Sequence, residues 1–306
     1  MKGLELSRLF YETYGVPMIE KEFSGYKDRI AAGRVGHGSE CFGFDDEISQ
    51  DHDFEPGFSV WLTEEDEREF GFKLMRAYKK LPKEFMGQRL QNESVFGPEF
   101  LGVHTVSEFY SFYLPDGEIP TSLEVWLSIP DHYLAEAVNG EVFTDPVGEF
   151  SRIRQEIKNC PEDVRLQKLA SAVFYMAQSG QYNYGRCLNH GEKTAAAVAL
   201  TKFAESTAQA VFLLNREYMP YYKWAYRKMS TLTVLGDVSD MLCEILASPY
   251  NQEKNLPIIE EISMLIAGEI RNQELSQRQE AYLEPYAYCI KSKIKDGSLR
   301  NSPIML

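Results

Sequence analysis

The sequence predicts an α+β fold in which an N-terminal mixed β-sheet with helices is followed by a C-terminal helical bundle. Short apolar runs bounded by Gly and Pro lie within the first 148 residues and are typical of strands. From about residue 150 onward, long segments with helical spacing of apolar residues replace them. We therefore predict two domains, residues 1–148 and residues 149–306, with the Pro146-Val147-Gly148 break at the end of the first.

The elements follow from local patterns of apolar, capping and helix-breaking residues. Thr63 followed by three acidic residues is typical of a helix N-cap, and the alternation in residues 122–127 indicates a strand. The first domain is predicted to contain a helix over 3–14 stopped by Gly15 and Pro17, strands over 30–36 and 58–62, a helix from Thr63 to about Leu81, an irregular stretch over 82–102, a helix over 105–113, a strand over 122–127, a helix over 130–138 and an edge strand over 141–144. The second is predicted to contain helices over 162–179, 188–217, 220–232, 237–247, 254–272 and 275–293.

Two acids lie between the first two predicted strands. Asp51 and Asp53 are two positions apart, so on a strand both side chains point to the same face. Two carboxylates held close together repel unless a cation lies between them, and hard oxygen ligands favour Mg²⁺ or Mn²⁺. A solvated acidic turn is the alternative. A calcium loop starting at Asp51 is excluded because Pro56 and Leu62 stand where such a loop needs Gly and Glu.

A Gly-Ser turn precedes these acids. Gly38 and Ser39 follow the strand predicted over 30–36, and a Gly-Ser turn that opens a helix offers backbone N–H groups and a hydroxyl to a phosphate. Such dipeptides often mark ordinary turns. The combination of a phosphate-binding turn and a divalent metal site predicts phosphoryl or nucleotidyl transfer.

The residues of this region also carry a family resemblance. The strand, Gly-Ser turn and Asp-x-Asp pattern resembles the polymerase-β-type nucleotidyltransferase superfamily, in its antibiotic-modifying and MNT-like branch. The segments Gly38–Ser49 and Asp51–Phe54, with Tyr218–Trp224 downstream, are more closely similar to the DUF4037 family. The resemblance implies that Gly38 and Ser39 bind the nucleotide phosphates. Glu55 departs from the family pattern, which has Gly before Pro56.

A third carboxylate is expected on a neighbouring strand, where it would act as base or metal ligand. Glu124, in the strand predicted over 122–127, is the best-placed candidate, and Asp131 and Asp145 are weaker ones. The alternative for Glu124 is an outward-facing polar residue of an edge strand.

Basic residues of the second domain are candidates for binding the phosphates. Lys223 and Arg227 are four residues apart and share a helix face, and Arg186 could add a further charge. A triphosphate needs such cations, and Lys is a common partner. The alternative is a surface helix whose basic side chains extend to solvent.

Composition limits the partners and the cellular setting. The net charge of −14 argues against nucleic acid as a partner, because phosphate binding relies on Lys and Arg. Apolar runs are shorter than a membrane helix requires, and the start lacks the apolar core of a signal peptide. The five cysteines are widely spaced and odd in number, which indicates reduced thiols and a cytoplasmic location. The oligomeric state is open between monomer and homodimer.

These observations lead to one functional hypothesis and one alternative. The hypothesis is a Mg²⁺-dependent nucleotidyltransferase that uses an NTP, with ATP as first choice, and a hydroxyl of a small-molecule or protein acceptor. An acidic chain suits a cationic acceptor. Asp51, Asp53 and Glu124 would be the metal-binding and catalytic residues. The alternative is a nucleotide-binding regulator or a toxin–antitoxin-like interaction protein on the same fold.

Overall fold

The structure, a computed structural model, describes residues 1–46, 56–89 and 101–306. These residues form two compact units. The first, called the sheet unit, comprises Met1–Thr121 and Tyr133–Asn159, and the second, called the helical unit, comprises Ser122–His132 and Cys160–Leu306. The predicted division after residue 148 therefore differs from the observed one in two places. The helix at 149–158 packs in the sheet unit, and residues 122–132 pack in the helical unit.

The sheet unit contains a four-stranded mixed sheet with the order β5-β2-β1-β6. Its strands are β1 (Ala31–Arg34), β2 (Ser59–Leu62), β5 (Gly102–Thr105) and β6 (Glu141–Thr144), and a separate hairpin contains β3 (Glu84–Phe85) and β4 (Gln88–Arg89). Strand β1 is antiparallel to both β2 and β6, whereas β2 and β5 are parallel. The predicted strands at 30–36, 58–62 and 141–144 are found within one or two residues, and β6 is an edge strand as predicted. The hairpin lies in the stretch predicted to be irregular, over 82–102, and β5 begins at the last residue of that stretch and was not predicted.

The first helix continues beyond its predicted end. Helix α1 (Gly3–Phe10) passes through a π-helical turn at Tyr11–Gly15 into α2 (Val16–Glu22). Pro17 lies at the start of α2, directly after the π-helical turn, where the spacing of the helix hydrogen bonds already changes. A Cβ on Gly15 would lie 2.7 Å from Cζ of Phe58. Glycine therefore lets this helix pack directly against the core.

Side-chain caps start the next helices where the sequence predicts them. Thr63 accepts a hydrogen bond from the backbone N–H of Asp66, and Thr105 forms a capping box with Glu108. The remaining helices of the sheet unit are α3 (Glu64–Asp66), α4 (Phe72–Tyr78), α5 (Val106–Ser111), α7 (Asp131–Ala137) and α8 (Glu149–Lys158). A π-helical turn at Glu67–Gly71 connects α3 to α4. Residues of α7 before Tyr133 are grouped with the helical unit.

Two faces of the sheet unit are buried by aromatic side chains. Phe58 is fully buried and contacts Tyr11 and Tyr78 edge-on. Trp61 stacks on Phe150 of α8, with ring centroids 3.7 Å apart. These contacts pack the start of β2 against the π-helical turn at Tyr11–Gly15 and against α4, and they pack Trp61 of β2 against α8, because large buried rings exclude water and pack densely.

The helical unit has a single extensive apolar core built from long helices. Its helices are α6 (Leu123–Ser128), α9 (Glu162–Met176), α10 (Gly185–Asn189), α11 (Lys193–Leu214), α12 (Tyr222–Met229), α13 (Val238–Ala247), α14 (Gln252–Asn272), α15 (Glu284–Ser292) and α16 (Gly297–Asn301). A π-helical turn at Ala177–Tyr184 connects α9 to α10. The helix predicted over 275–293 begins only at Glu284. In the described residues, no helix has the length and apolar character needed to cross a bilayer. The predicted α+β class is confirmed.

Candidate functional site

The Gly-Ser turn leaves the sheet at the end of β1. Gly36 and Gly38 have positive φ angles of 112° and 122°, and a short 3₁₀ turn at Glu40–Phe42 begins directly after Ser39. The Ser39 carbonyl accepts hydrogen bonds from the N–H groups of Phe42 (3.2 Å) and Phe44 (2.9 Å). The predicted order of strand, Gly-Ser turn and helical turn is therefore present.

Glycine is required at position 38 for two reasons. Its φ of 122° is a backbone conformation that L side chains rarely adopt. A Cβ at this position would also lie 2.4 Å from Oε1 of Glu40, so the Glu40 carboxylate would have to move from its place beside Arg34. The turn therefore depends on the absence of a side chain at Gly38.

A buried ion pair joins two residues that flank the turn. Arg34 and Glu40 are 6% and 5% exposed, and Nε of Arg34 donates to Oε1 of Glu40 at 3.1 Å. Burying two charges is unfavourable unless they pair with good geometry. The pair therefore links the end of β1 to the helical turn that follows Ser39.

Three further contacts hold the same turn in the sheet unit. The side-chain amide of Asn139 accepts from the Gly36 N–H and donates to the Gly36 carbonyl, both at 2.8 Å. The N–H of Gly140 donates to the Cys41 carbonyl at 2.8 Å. The Nη2 atom of Arg154 donates hydrogen bonds to the carbonyls of residues 138, 139 and 140. Burial lowers the pKa of this guanidinium. The segment 138–140 thus acts as a rigid support for the turn.

Several hydrogen-bond donors of the turn have no acceptor within the described residues. Ser39 is half-buried, and within the described ranges its hydroxyl has no hydrogen-bond partner. In the same ranges, no acceptor contacts the backbone N–H groups of Gly38, Ser39 and Glu40. Such groups can bind an anionic oxygen. Burial raises the pKa of the Cys41 thiol, so this neighbouring cysteine stays protonated and is not a nucleophile.

A histidine–carboxylate pair adjoins the turn, which sequence reasoning did not find. His37 directly precedes Gly38, and its Nδ1 lies 3.4 Å from Oε1 of Glu136 in α7. The His37 side chain is 65% exposed, whereas that of Glu136 is 11% exposed. The two residues are far apart in the chain and show no recognisable spacing, so only the fold brings them together.

The two acids of the Asp-x-Asp pattern, Asp51 and Asp53, lie outside the described residues. The chain is described again from Pro56, and β2 begins at Ser59. Within residues 1–46, 56–89 and 101–306, no group of three acidic, His or Cys side chains comes together as a metal site.

The prediction that residues 122–127 form a strand carrying Glu124 is wrong. Ser122 caps helix α6 by accepting a hydrogen bond from the Val125 N–H, and Glu124 lies in the first turn of that helix. The segment is grouped with the helical unit, and Leu123 and Leu127 pack against the core of that unit. Glu124 is therefore not on a strand beside β1 and β2, and the structural reason for choosing it is lost.

The weaker carboxylate candidates have structural partners. Asp131 forms an ion pair with the buried Lys168 at 2.5 Å. Asp145 accepts hydrogen bonds from the N–H groups of Gly148 (3.0 Å) and Ser151 (2.7 Å) at the start of α8. Both contacts are those expected of residues that hold the fold together.

The basic candidates are on two helices of the helical unit. Lys223 is exposed on α12, and its Nζ lies 4.9 Å from the ring centroid of Trp224. Arg227 is exposed one turn later on the same helix. Arg186 is exposed on α10, with its guanidinium 4.9 Å from the ring centroid of Tyr182. Lys223 and Arg227 share a helix as predicted, and Arg186 belongs to a different one.

A groove of about 450 Å³ lies elsewhere in the helical unit. Its lining residues are Arg278, Tyr282, Glu284, Pro285, Tyr288, Cys289 and Ser292. None of the residues predicted from the sequence to bind nucleotide or metal is among them. We therefore base the functional interpretation on the turn at Ser39.

Comparisons with known proteins bear on the family resemblance. The model of a domain of unknown function, DUF4037, matches residues 126–225, which contain the Tyr218–Trp224 segment but not the Gly-Ser turn. The resemblance to this family is thereby confirmed over that part of the chain. No match was found among curated protein sequences.

One solved structure is similar over most of the chain. It is a nucleotidyltransferase-like protein from Exiguobacterium sibiricum 255-15, which is 12% identical with a TM-score of 0.35. The alignment covers 89% of this chain and 81% of that protein.

Proposed function

We propose that this chain is a Mg²⁺-dependent nucleotidyltransferase that transfers a nucleoside monophosphate from an NTP to an acceptor hydroxyl and releases pyrophosphate. The observation that carries the proposal is the turn at Gly38 and Ser39. It leaves the buried strand β1 and opens a helical turn. The antiparallel neighbour β2 follows the segment that contains Asp51 and Asp53. Phosphate-binding turns and acidic pairs in this order are suited to nucleotidyl transfer.

The turn would bind the phosphates of the nucleotide. The Ser39 hydroxyl and the N–H groups of residues 38–40 would donate hydrogen bonds to phosphate oxygens. The Arg34–Glu40 pair and the Asn139 amide hold the turn in place. Donors that are fixed before the ligand arrives need little reorganisation when charge develops in the transition state.

Asp51 and Asp53 are the residues that would hold Mg²⁺ or Mn²⁺. Their fit to these ions rests on the donor chemistry, since carboxylate oxygens are the ligands that hard divalent cations prefer. The bound metal would stabilise negative charge on the phosphates during transfer. With the strand around Glu124 corrected, we do not include this residue in the proposed machinery.

The basic side chains and the acceptor remain proposals drawn from the sequence. Lys223, Arg227 and Arg186 would offset the charge of the triphosphate. The net charge of −14 favours a cationic small molecule as the acceptor, and a protein hydroxyl is the other choice.

The direct test is nucleotide transfer by purified protein. Each of the four NTPs, labelled at the α-phosphate, is incubated with Mg²⁺ and a panel of hydroxyl acceptors that includes the polycationic kanamycin. We expect the Asp51→Asn and Asp53→Asn variants to lose transfer by at least about 100-fold. The Glu65→Gln variant, which changes an exposed acid on α3, is the matched control and retains it.

Two outcomes would contradict the proposal. Equal turnover by the wild type and the two Asp→Asn variants would remove the metal site and the catalytic assignment. NTP binding by the wild type without transfer to any acceptor would instead favour the nucleotide-binding regulator.

A further inference from the structure

We propose that the outer side of α4 binds the surface of an anionic lipid membrane. The inference goes beyond the proposed nucleotidyl transfer and does not depend on it. It rests on an exposed aromatic ring beside four cations that have no acidic partner in the part of the chain that the structure describes. We call this set of residues the basic face, and its members are Phe72, Lys73, Arg76, Lys79 and Lys80.

The spacing of these residues places them on one side of the helix. Helix α4 ends at Tyr78, and Lys79 keeps helical backbone angles, with φ of −62° and ψ of −16°. Positions 72, 76, 79 and 80 are i, i+4, i+7 and i+8, and position 73 lies beside 76 and 80. All five residues are exposed, whereas Leu74 and Tyr78 are buried in the core. The packing of α4 therefore directs the basic face to solvent.

The cations of the basic face are not neutralised by the protein itself. Within residues 1–46, 56–89 and 101–306, no carboxylate lies within ion-pair distance of any of the four. Arg29 of the same unit, by contrast, pairs with both Asp66 and Glu69. Like charges three and four residues apart on a helix repel each other. An anionic partner would offset this repulsion.

Phe72 adds an apolar side chain to the same face. It is 63% exposed, and the guanidinium carbon of Arg76 lies 5.9 Å from its ring centroid. Helices that lie on membranes combine such a ring, which enters the boundary of the acyl chains, with Lys and Arg side chains that reach the lipid phosphates. Contact of this kind needs no membrane-spanning helix.

The chemistry of the basic face favours a lipid surface over nucleic acid. Proteins that bind single strands use a basic groove with several aromatic rings for stacking, whereas this face is the convex outside of a helix and carries one ring. Double-stranded nucleic acid offers no apolar phase to Phe72. A bilayer offers both phosphates and an apolar phase, so it complements the charge and the exposed ring together.

The net charge of −14 does not prevent this contact. Charges in physiological salt are screened beyond about 8 Å. The acidic segment Glu64–Glu67 lies at least six residues before Lys73, which is about 9 Å along the helix axis. The nearer Glu69 is bound to Arg29 at 2.8 Å. The basic face can therefore meet an anionic surface while the acids of the rest of the chain remain in water.

The test is co-sedimentation of the full chain with lipid vesicles. The vesicles contain phosphatidylcholine alone, or phosphatidylcholine with about one-third phosphatidylglycerol. We expect binding to the anionic vesicles only, and we expect it to weaken as salt is raised. A variant that combines Lys73→Gln, Arg76→Gln, Lys79→Gln and Lys80→Gln should partition at least about 100-fold more weakly, because each cation near such a surface contributes about fivefold.

A matched control separates the basic face from the net charge. It combines Lys21→Gln, Lys27→Gln, Lys293→Gln and Lys295→Gln, which remove four exposed cations from other elements. This variant has the same net charge as the basic-face variant and should partition within about twofold of the wild type. An equal loss in both variants would overturn the proposal.

Phe72 gives a second, independent measurement. In Phe72→Trp, anionic vesicles should shift the fluorescence to shorter wavelength, and brominated lipid should quench it, relative to the wild-type spectrum. Phe72→Ser should partition several-fold more weakly with an unchanged salt dependence, because apolar burial is lost and no charge changes. Fluorescence that anionic vesicles leave unchanged would contradict insertion of this side chain and overturn the proposed contact.

Three further results would also overturn the proposal. These are wild-type protein that binds no vesicles, equal binding to neutral and anionic vesicles, and undiminished binding by the basic-face variant. Binding to single-stranded oligouridine without binding to vesicles would assign the face to nucleic acid instead. The substituted residues are exposed, so the variants are expected to fold, and circular dichroism checks this.

Discussion

Gly140→Ala should destabilise the sheet unit much more than the same change at another left-handed glycine. Gly140 has a φ of +62°, and its added Cβ would lie 2.1 Å from the Arg34 carbonyl oxygen. The left-handed conformation costs an L residue about 1–2 kcal/mol. Displacing a backbone carbonyl at the end of β1 adds about 1–3 kcal/mol. We therefore expect a loss of about 2–5 kcal/mol in the free energy of unfolding.

Gly148 provides the matched control for this prediction. It has a φ of +80°, but an added Cβ would have no atom within 4 Å. Gly148→Ala should therefore cost only the conformational part, about 1–2 kcal/mol. Urea unfolding followed by tryptophan fluorescence measures both variants against the wild type. Equal destabilisation by the two substitutions would refute the argument that contact with Arg34 makes Gly140 necessary.

Three further predictions concern charge, packing and substrate binding. Arg165, and then Arg216, lower the pKa of Glu162 to about 2, so the stabilising effect of this carboxylate is complete above about pH 4.5 and is lost as the pH falls through 2. Because the carboxylate is well exposed, Glu162→Gln should cost only about 1 kcal/mol at pH 7. A urea-unfolding difference as large at pH 2 as at pH 7 would contradict the assignment. Phe150→Ala should lower the free energy of unfolding by about 3–5 kcal/mol, because a fully buried ring that stacks on Trp61 is removed. A urea unfolding midpoint equal to that of the wild type would contradict this prediction. Lys223→Ala should raise KM for the NTP several-fold, because a cation that binds the phosphates is lost. If KM in the transfer assay equals that of the wild type, Lys223 does not belong to the site.

Local chemistry explains which elements could be predicted from the sequence. Thr63 and Thr105 start helices because a hydroxyl followed by acids satisfies the free N–H groups of the first turn. Strands β1 and β2 are short buried runs between turn residues, a pattern that needs little tertiary information. Such signals depend only on neighbours in the chain, so they could be predicted from the sequence alone.

The segment 122–128 shows where periodicity fails. Leu123, Val125 and Leu127 alternate as in a strand, whereas Leu123, Trp126 and Leu127 also have the spacing of a helix face. A segment of six residues is too short to distinguish the two-residue repeat of a strand from the 3.6-residue repeat of a helix. The Ser122 cap and the core of the helical unit select the helix.

The candidate site was only partly predictable. The Gly-Ser turn was found because its residues are adjacent in the chain. The His37–Glu136 pair depends on α7 packing near the turn, and no sequence signal marks such a distant contact. The positions of Asp51 and Asp53 remain a prediction.

The support for the turn has a consequence for the chemical ageing of the protein. Asn139 and Gly140 form an Asn-Gly pair, in which the glycine nitrogen can attack the side-chain amide and convert the asparagine to an acid. Here that nitrogen donates to the Cys41 carbonyl, and the amide is bound on both sides to Gly36. The folded protein should therefore resist deamidation at Asn139, and peptide mass spectrometry should find the one-dalton gain only after urea unfolding. Equal deamidation rates in the folded and unfolded protein would show that these bonds give no protection.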